Sequence, residues 1–492
     1  MHSTRWRQRH GSPVGSSTPS SNAPRVLVNS LMVSAHVVIL AAGKGTRMKS
    51  ALPKVLHRVA GIPLLEHVLR TVRAFRPEST TVVIGHGADQ IQAAFSADPG
   101  LRFVVQEPQL GTAHALLQAE PVLRGATGDV VLLYGDVPLL RPSTLETLIE
   151  RHRADRAAAT VVTAVVESPY GYGRILRRDG QLVRIVEERD TSPTERAIKE
   201  VNAGIYAFAL EPLFEALRSI AAQNAQGEYY LPDLIPIYRR RSLPIATVTV
   251  ADASEIRGVN SRSELAEVAA LVRQKKNEEL MAAGVTLIDP ATTYVDVDVV
   301  VGPDTVLHPN VYLEGSTTVG AACEIQAGSR LVNARVGDRV TIRNYCVITD
   351  STVADDAVIG PFAHLRPGSE AREGSHIGNF VELKKTILGP GSKASHLAYL
   401  GDATIGANVN VGAGTITCNY DGTTKHPTII EDGAFIGSDS QLVAPVRVGQ
   451  GAYVAAGSTI VEDVPPRALG IARSRQVNKE DWVERKKTQK SQ

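Results

Sequence analysis

The sequence predicts two folds in one chain, an α/β domain followed by a parallel β-helix. In the first half, short β-branched runs such as 82–84 and 130–133 alternate with helix-like stretches, a pattern typical of a mostly parallel sheet covered on both faces. After Val300, apolar residues recur at every sixth position, which indicates a solenoid. With 492 residues, the chain is also too long for one hydrophobic core.

The six-residue repeat predicts the shape of the second half. Six residues make one flat face and one corner, so three hexads close a triangular coil with aliphatic residues stacked inside. The glycines that follow many of these residues are expected to permit the corners. Phase slips near Val336, Val353 and Leu388 are interpreted as short insertions, and 417–429 as a larger inserted loop. The repeating apolar positions are Val301, Leu307, Leu313, Val319, Ile325, Leu331, Ile430, Ile436, Leu442, Val448, Val454 and Ile460.

These patterns divide the chain into five parts. Residues 1–31 begin with Arg5, Arg7 and Arg9 and continue in a Ser/Pro/Gly-rich run without an apolar block, so a disordered extension is expected rather than a secretory signal. Translation could also begin at Met32, a hypothesis that N-terminal sequencing would test. The remaining boundaries are an α/β domain over 32–260, a linker helix over 261–281, a β-helix over 282–473 and a tail over 474–492.

Composition excludes several classes of partner. Lysine and arginine number 53 against 51 aspartates and glutamates, so neither nucleic acid nor a membrane surface is an expected partner. Any anionic substrate must be held locally. Cys323, Cys346 and Cys418 lack metal-ligand spacing, so neither a disulfide framework nor a zinc site is indicated, and a cytoplasmic location is expected.

A glycine-rich turn follows the first predicted strand. It spans 40–48, with Lys54 shortly after it. Small residues let backbone N–H groups approach a phosphate chain, whose charge Arg47 and Lys54 could neutralise. A tight turn with two solvated cations is the simpler alternative. Asp136 ends a buried strand, where it could either bind Mg²⁺ or act as a cap.

The order of motifs resembles the sugar-nucleotide pyrophosphorylase family, so the first half is expected to be a Rossmann-like nucleotidyltransferase domain. The resemblance rests on Gly43-x-Gly45-x-Arg47, Pro53-Lys54, the run 106–113 and Tyr134-Gly135-Asp136, and continues through 171–175, 186–188, 201–206 and 258–260. From Val37 to about Arg473, the chain resembles the bacterial bifunctional N-acetylglucosamine-1-phosphate uridyltransferase/glucosamine-1-phosphate acetyltransferases.

This resemblance implies roles in the first half. Arg47 and Lys54 would be catalytic, and Asp136 with Asn260 would hold Mg²⁺, although turn chemistry alone could explain asparagines here. Ala203 stands where other members carry a hydroxyl residue, which puts one detail of the sugar pocket in doubt. The implied UTP- and sugar-binding residues are Leu40, Ala41, Ala42, Gly43, Lys54, Gln106, Gly111, Thr112, Tyr134, Gly135, Asp136, Gly173, Glu187, Asn202 and Asn260.

Charged residues within the repeats indicate a second site. Charges in stacked coils are costly unless they face a cleft, and His396 lies among several. Transfer of an acetyl group to an amine needs a base, and a neutral imidazole suits that task near pH 7. A structural histidine on the coil surface is the alternative interpretation.

The resemblance also implies roles in the second half, a left-handed β-helix and a homotrimer. His396 would be the general base, oriented by Glu382. Glucosamine 1-phosphate would be bound by Arg366, Lys384, Tyr399, Asn410, Asn419 and Tyr420, and acetyl-CoA by Ala413, Ser438, Ala456 and Arg473. The N-acetylated sugar phosphate and UTP would then react in the first half. A structural or allosteric β-helix, and a non-catalytic assembly subunit, remain alternatives.

Overall fold

The computed structural model describes residues 33–490, so the predicted extension 1–31 and the candidate start Met32 lie outside the described residues. The first half forms a nine-stranded sheet in which Glu200–Ala209 runs antiparallel to its two central neighbours. The order is Ile245–Thr249, Ala159–Val165, Glu200–Ala209, Asp129–Tyr134, Val33–Ala41, Pro77–Ile84 and Leu101–Val105. Arg174–Arg178 pairs with Glu200–Ala209, and Gln181–Val186 pairs with Arg174–Arg178.

The central strand shows why this sheet is buried on both faces. Val37 and Ile39 lie in the hydrophobic core on one side, whereas Val38 and Leu40 lie in the core on the other. Alternation with a period of two therefore places apolar side chains in both layers. The helices of this half are Leu64–Phe75, Ala88–Ala94, Thr112–Leu117, Glu120–Leu123, Pro142–Ala154, Pro193–Arg196, Leu210–Arg218 and Leu234–Arg240.

A long helix, Arg262–Ala282, joins the two halves close to the predicted linker. It begins with a capping box, in which Ser261 and Glu264 bind each other's backbone N–H groups. Val268 and Val272 belong to a small core shared with the first half. A last helix, Trp482–Lys490, forms the tail. Along 33–490, the helices are all too short or too polar to cross a membrane.

The second half is a triangular prism of three parallel sheets. The first contains Thr286–Leu287, Val306–Leu307, Glu324–Ile325, Thr341–Ile342, Val358–Ile359, His376–Asn379, Lys393–His396, Asn410–Val411, Phe435–Ile436, Tyr453–Val454 and Leu469–Gly470. The second contains Tyr294–Val295, Tyr312–Glu314, Arg330–Val332, Val347–Thr349, His364–Leu365, Glu382–Lys384, Tyr399–Gly401, Ile416–Cys418, Gln441–Val443 and Thr459–Ile460. The third contains Val300–Val301, Thr318–Val319, Arg335–Val336, Thr352–Val353, Glu370–Ala371, Ile387–Leu388, Ala403–Ile405, Thr428–Ile430 and Val446–Val448.

The phase slips are shortened coils, so the prediction of short insertions was wrong. Val301 pairs with Val319, eighteen positions later, whereas Val319 pairs with Val336 and Val336 with Val353, each only seventeen positions later. Each missing residue falls at the corner between the second and third sheets. The other two corners keep a spacing of six between inner residues from Val301 to Ile460. A lost residue and an inserted run both shift the apolar phase, which is why the sequence pattern misled.

Most of the glycines noted in the sequence serve close stacking rather than the corners. A Cβ added to Gly302 would lie 2.7 Å from the backbone nitrogen of Ala321 in the next coil. Its φ is not in the left-handed region, whereas corner residues such as Asp304 and Asn310 have φ near +60°. The expectation that glycine permits the corners holds at Gly360, with φ of 93°. At Gly302 the requirement is space.

We predict that Gly302→Ala destabilises the prism more than Gly374→Ala does. The first substitution forces a methyl group into the backbone of the next coil, which should lower the free energy of unfolding by about 3 kcal/mol. Gly374 has φ of 62°, and a Cβ added there would have no atom within 4 Å, so its cost is only that of a left-handed alanine, about 1 kcal/mol. Urea unfolding followed by circular dichroism measures both. Equal losses would show that stacking distance is not the constraint.

Candidate active sites

A cavity of about 460 Å³ lies at the carboxyl ends of the central parallel strands. The glycine-rich turn after Val33–Ala41 forms one wall, because the strand ends there and its backbone turns sharply. Ligands in open α/β sheets bind at this edge. Of the predicted residues, those that line the cavity are Leu40, Ala41, Ala42, Gly43, Lys54, Gln106, Gly111, Thr112, Tyr134 and Asp136.

Lys54 joins the two residues predicted to hold a metal. Its ammonium group forms an ion pair with Asp136 Oδ2 and donates to Asn260 Oδ1 over 3.0 Å. Asn260 is held in place because its backbone N–H donates to Glu264 Oε2, 2.5 Å away, in the capping region of the linker helix. The backbone of Val259 also donates to Asp136 over 3.0 Å. Two oxygen atoms from distant segments therefore converge on one cation.

Hydrogen bonds hold the predicted uracil-binding segment, 106–112, in place. The buried Gln106 amide donates to the carbonyl of Gly111 over 3.0 Å, and the backbone of Leu231 donates to Thr112 Oγ1 over 3.1 Å. Gly111 has φ of 110°, and a Cβ there would lie 2.6 Å from the carbonyl oxygen of Tyr229. Glycine is therefore required where the two loops meet.

The predicted sugar-binding residues lie together beside this cavity. The backbone of Asn202 donates to the carbonyl of Gly173 over 2.9 Å. A Cβ on Gly173 would lie 3.3 Å from Glu187 Oε1, so glycine leaves that carboxyl group accessible. Burial, reinforced by the charges of Asp190 and Asp233, raises the pKa of Glu187 to about 7.

Some predicted residues lie elsewhere, and some lining residues were missed. Arg47 is exposed and does not line the cavity, while Gly135 packs behind it against Leu65 and Val55. The missed lining residues include Lys44, Gln109 and Glu228, together with Gly45, Thr46, Pro53, Val55 and Ala115. Lys44 and Gln109 belong to motifs already recognised, whereas Glu228 had no local sequence signal.

In the β-helix, four predicted residues form a column along one edge. The coils bond in register, so Asp439 donates to the carbonyl of Ala413 over 2.7 Å, and Gly457 donates to that of Ser438 over 2.8 Å. Arg473 extends the column by donating to the carbonyl of Ala456 over 2.7 Å. The exposed His396 occupies the same edge one coil before Ala413. The imidazole and the predicted acetyl-CoA residues are thus neighbours.

The expected contact between His396 and Glu382 is not made. Glu382 instead accepts from the Arg366 guanidinium over 2.8 Å. Arg366 and Glu382 belong to successive coils of one face, and a charge-assisted bond between them is favourable. Within 33–490, neither ring nitrogen of His396 has a hydrogen-bond partner.

The inserted loop is confirmed, and it lies at the corner between the second and third sheets. Ile405 pairs with Ile430, twenty-five positions later. A Cβ on Gly401 would lie 2.5 Å from the Tyr399 hydroxyl and 2.7 Å from Asn419 Nδ2, so these two groups are adjacent. Asn410 and Tyr420, which are close to Asn419 in the sequence, both have exposed side chains.

Lys425, at the end of this loop, was not predicted. Its ammonium group lies beside that of Lys384, whose charge lowers the pKa of Lys425. Asn419 is fixed by donating to Asp402 over 2.5 Å. Two neighbouring ammonium groups repel each other, so an anion placed between them would be favoured.

Comparison with known proteins decides the family. Residues 37–228 match the MobA-like NTP transferase domain, and 427–462 match six repeats of the bacterial transferase hexapeptide. The bifunctional protein GlmU of Trichlorobacter lovleyi is 50% identical, over 93% of this chain and 99% of its own length. That of Shouchella clausii is also 50% identical, over 91% of this chain and 98% of its own. This chain belongs to the GlmU family.

Membership of the GlmU family confirms the predicted fold class and the predicted pair of transferase activities. The α/β half is the nucleotidyltransferase domain, and the prism is the left-handed parallel β-helix of the hexapeptide transferases. A solved structure of a putative glucose-1-phosphate thymidylyltransferase from Bacillus anthracis covers 49% of this chain at 19% identity, with a TM-score of 0.40. The assignment rests on the sequence relatives.

We predict that Glu187→Gln stabilises the protein at pH 8 and has less effect toward pH 5. The unfolded glutamate has a pKa of 4.5, and the folded one about 7. Between these values the folded state binds a proton that the unfolded state lacks, so the free energy of unfolding falls as pH rises. Glutamine removes this loss. Melting temperatures of both proteins across pH 5 to 8 test it.

The control is Glu146→Gln, which changes an exposed carboxylate on Pro142–Ala154. It should give the same shift in melting temperature at every pH. A pH-independent difference between wild type and Glu187→Gln would contradict the raised pKa.

Proposed function

We propose that this chain makes UDP-N-acetylglucosamine in two steps at separate sites. The β-helix acetylates glucosamine 1-phosphate from acetyl-CoA, and the α/β half then transfers UMP from UTP to the product. The observation that carries the proposal is that one chain holds two distinct clusters. One is the cavity of about 460 Å³ at the sheet edge, where Lys54 contacts Asp136 and Asn260, and the other is His396 beside the column of Ala413 and Ser438.

In the uridyltransferase step, the chain mainly binds and orients its substrates. Backbone N–H groups of the glycine-rich turn and the Lys54 ammonium group bind the triphosphate. Arg47, which is exposed and does not line the cavity, would turn toward the phosphates as a further cation. The sugar phosphate oxygen attacks the α-phosphorus in line, and pyrophosphate leaves, so no covalent nucleophile is needed. Gln106, Gly111 and Thr112 bind the base, and Gly173, Glu187 and Asn202 bind the sugar.

The oxygen atoms of Asp136 and Asn260 fit a magnesium ion. Both already bind one cation, the Lys54 ammonium group, which serves as a stand-in. In the described part of the chain, no three His, Cys, Asp or Glu side chains cluster as a metal site. This suits Mg²⁺, which uses one or two protein oxygens plus substrate phosphates. When bound, it would neutralise charge on the phosphates.

In the acetyltransferase step, His396 acts as the base. It takes the proton from the amine that attacks the thioester carbonyl, and the thiol of coenzyme A leaves. Lys384 and Arg366 bind the sugar phosphate, together with Tyr399, Asn410, Asn419 and Tyr420. Lys425 adds a second ammonium group there, which an anion would hold beside Lys384. Ala413, Ser438, Ala456 and Arg473 bind acetyl-CoA.

One assay separates this proposal from a purely structural β-helix and from a non-catalytic subunit. The purified chain is incubated with glucosamine 1-phosphate, acetyl-CoA, UTP and Mg²⁺, and free thiol and pyrophosphate are followed separately. The proposal requires both products. A second incubation contains N-acetylglucosamine 1-phosphate instead of glucosamine 1-phosphate. Pyrophosphate release in that incubation, with no thiol release in the first, would indicate a structural β-helix.

We predict that substitutions at the two sites act on different products. His396→Ala should reduce thiol release by about 10²-fold or more, as loss of a general base does, and spare pyrophosphate release from N-acetylglucosamine 1-phosphate. Asp136→Ala should do the reverse, by about 10²-fold or more, through loss of electrostatic stabilisation. Steady-state assays of each half-reaction check this. Loss of both activities in either folded variant would contradict independent sites.

We also propose that three copies associate and that the enzyme acts in the cytoplasm. Tyr345, Phe362 and Phe380 stack along the prism edge that carries His396, with ring centroids 5.3 Å apart, and all are exposed. Each has φ near +60°, a conformation that bulky residues rarely adopt. Burial against another copy would explain apolar rings at such positions. The three cysteines are free thiols, which suits a reducing compartment.

We predict that Phe362→Asn weakens the trimer without unfolding the chain. Asparagine tolerates the left-handed conformation, so the variant loses the apolar ring and little else. Sedimentation equilibrium should give three times the chain mass for wild type and a lower mass for the variant. Tyr170→Asn, on an exposed loop of the other half, is the control and should stay trimeric. A monomeric wild type would contradict the proposal.

A further inference from the structure

The protein's own lysine fills the oxygen cluster proposed for the metal. Lys54 Nζ pairs with Asp136 Oδ2 and donates to Asn260 Oδ1 over 3.0 Å. The Lys54 and Asp136 side chains are only 17% and 10% exposed. Ammonium donors use the same oxygen lone pairs that a metal ion needs. One site therefore has two candidate cations.

We infer that Lys54 competes with the divalent cation for Asp136 and Asn260, so that the metal enters together with the nucleoside triphosphate. This rests on the proposed uridyltransferase function. Two cations sharing these oxygens would repel strongly, because the pair is largely shielded from water. The triphosphate supplies a second anionic partner, to which Lys54 can move. Lys54 therefore blocks the metal site until the nucleotide binds and draws its ammonium group away.

The surroundings show which member of the cluster can move. Asn260 is fixed by the bond from its backbone to Glu264 Oε2, and the backbone carbonyl of Asp136 accepts from Val259. Lys54 has a long side chain and lines the same cavity as Gly43 and the rest of the glycine-rich turn. Rotation of its side chain can therefore carry Nζ from the carboxylate to a phosphate, while the two oxygens stay in place.

Competition of this kind also makes binding reciprocal. If the triphosphate draws Lys54 away and so raises the affinity for metal, then the metal must raise the affinity for triphosphate by the same factor. Metal alone should bind weakly. The removal of Lys54 should uncouple the two ligands.

The test measures Mn²⁺ alone binding to the full chain by electron paramagnetic resonance, without nucleotide. Lys54→Met should bind Mn²⁺ about tenfold more tightly than wild type, the effect of removing one charge-assisted hydrogen bond from the cluster. Lys44→Met is the matched control, since Lys44 lines the same cavity but does not donate to Asp136 or Asn260. Its Mn²⁺ affinity should stay within about twofold of wild type. Lys54→Ala replaces Lys54→Met if circular dichroism shows that the latter is unfolded.

Three outcomes would overturn the inference. Unchanged affinity in Lys54→Met would show that Lys54 does not compete, and an equal gain in Lys44→Met would show a general field effect. The double variant Lys54→Met/Asp136→Asn should lose the gain, and retention of it would place Mn²⁺ elsewhere. Pyrophosphate release by wild type with Mg²⁺ is measured in parallel. If wild type is active but Lys54→Met shows no gain, the inference fails while the proposed function stands.

Discussion

Register between successive coils is the constraint on which the second half of this molecule depends. Each strand of the prism bonds to the strand one coil later, so residues seventeen or eighteen positions apart, or twenty-five across the inserted loop, form a column. The residues proposed for acetyl transfer are therefore brought together by stacking, because His396 and Ser438 come to one edge without any long-range folding of loops. The stacked aromatic residues at Phe362 follow from the same rule.

The first half meets a different requirement, which is to hold charge at the edge of a sheet. Parallel strands end beside one another there, and the ion pair between Lys54 and Asp136 stabilises two groups that are mostly removed from water. Asn260 reaches the same point from the start of the linker helix. The helix cap that begins the connection between the two halves thus also fixes an oxygen atom that Lys54 contacts.

Sequence patterns predicted the two folds and most of the cavity because each rests on local rules. Apolar periodicity predicts which side chains face inward, and glycine-rich turns after strands predict where phosphates bind. Contacts between charged groups did not follow from such rules, so Arg366 replaced His396 as the partner of Glu382. Glu228 was missed because only the packing of its loop on Gly111 brings it to the cavity. Periodicity also could not distinguish a missing residue from an added one.

From Val301 to Ile460, all changes in coil length fall at a single corner of the prism. Between Val301 and Ile460 the chain loses single residues there in several coils, and the loop that carries Asn419 and Lys425 emerges there too. The other two corners keep their spacing throughout that stretch. One corner of the prism therefore varies in length while the other two do not. New loops can be acquired at the variable corner during evolution, while the columns along the two constant corners stay aligned.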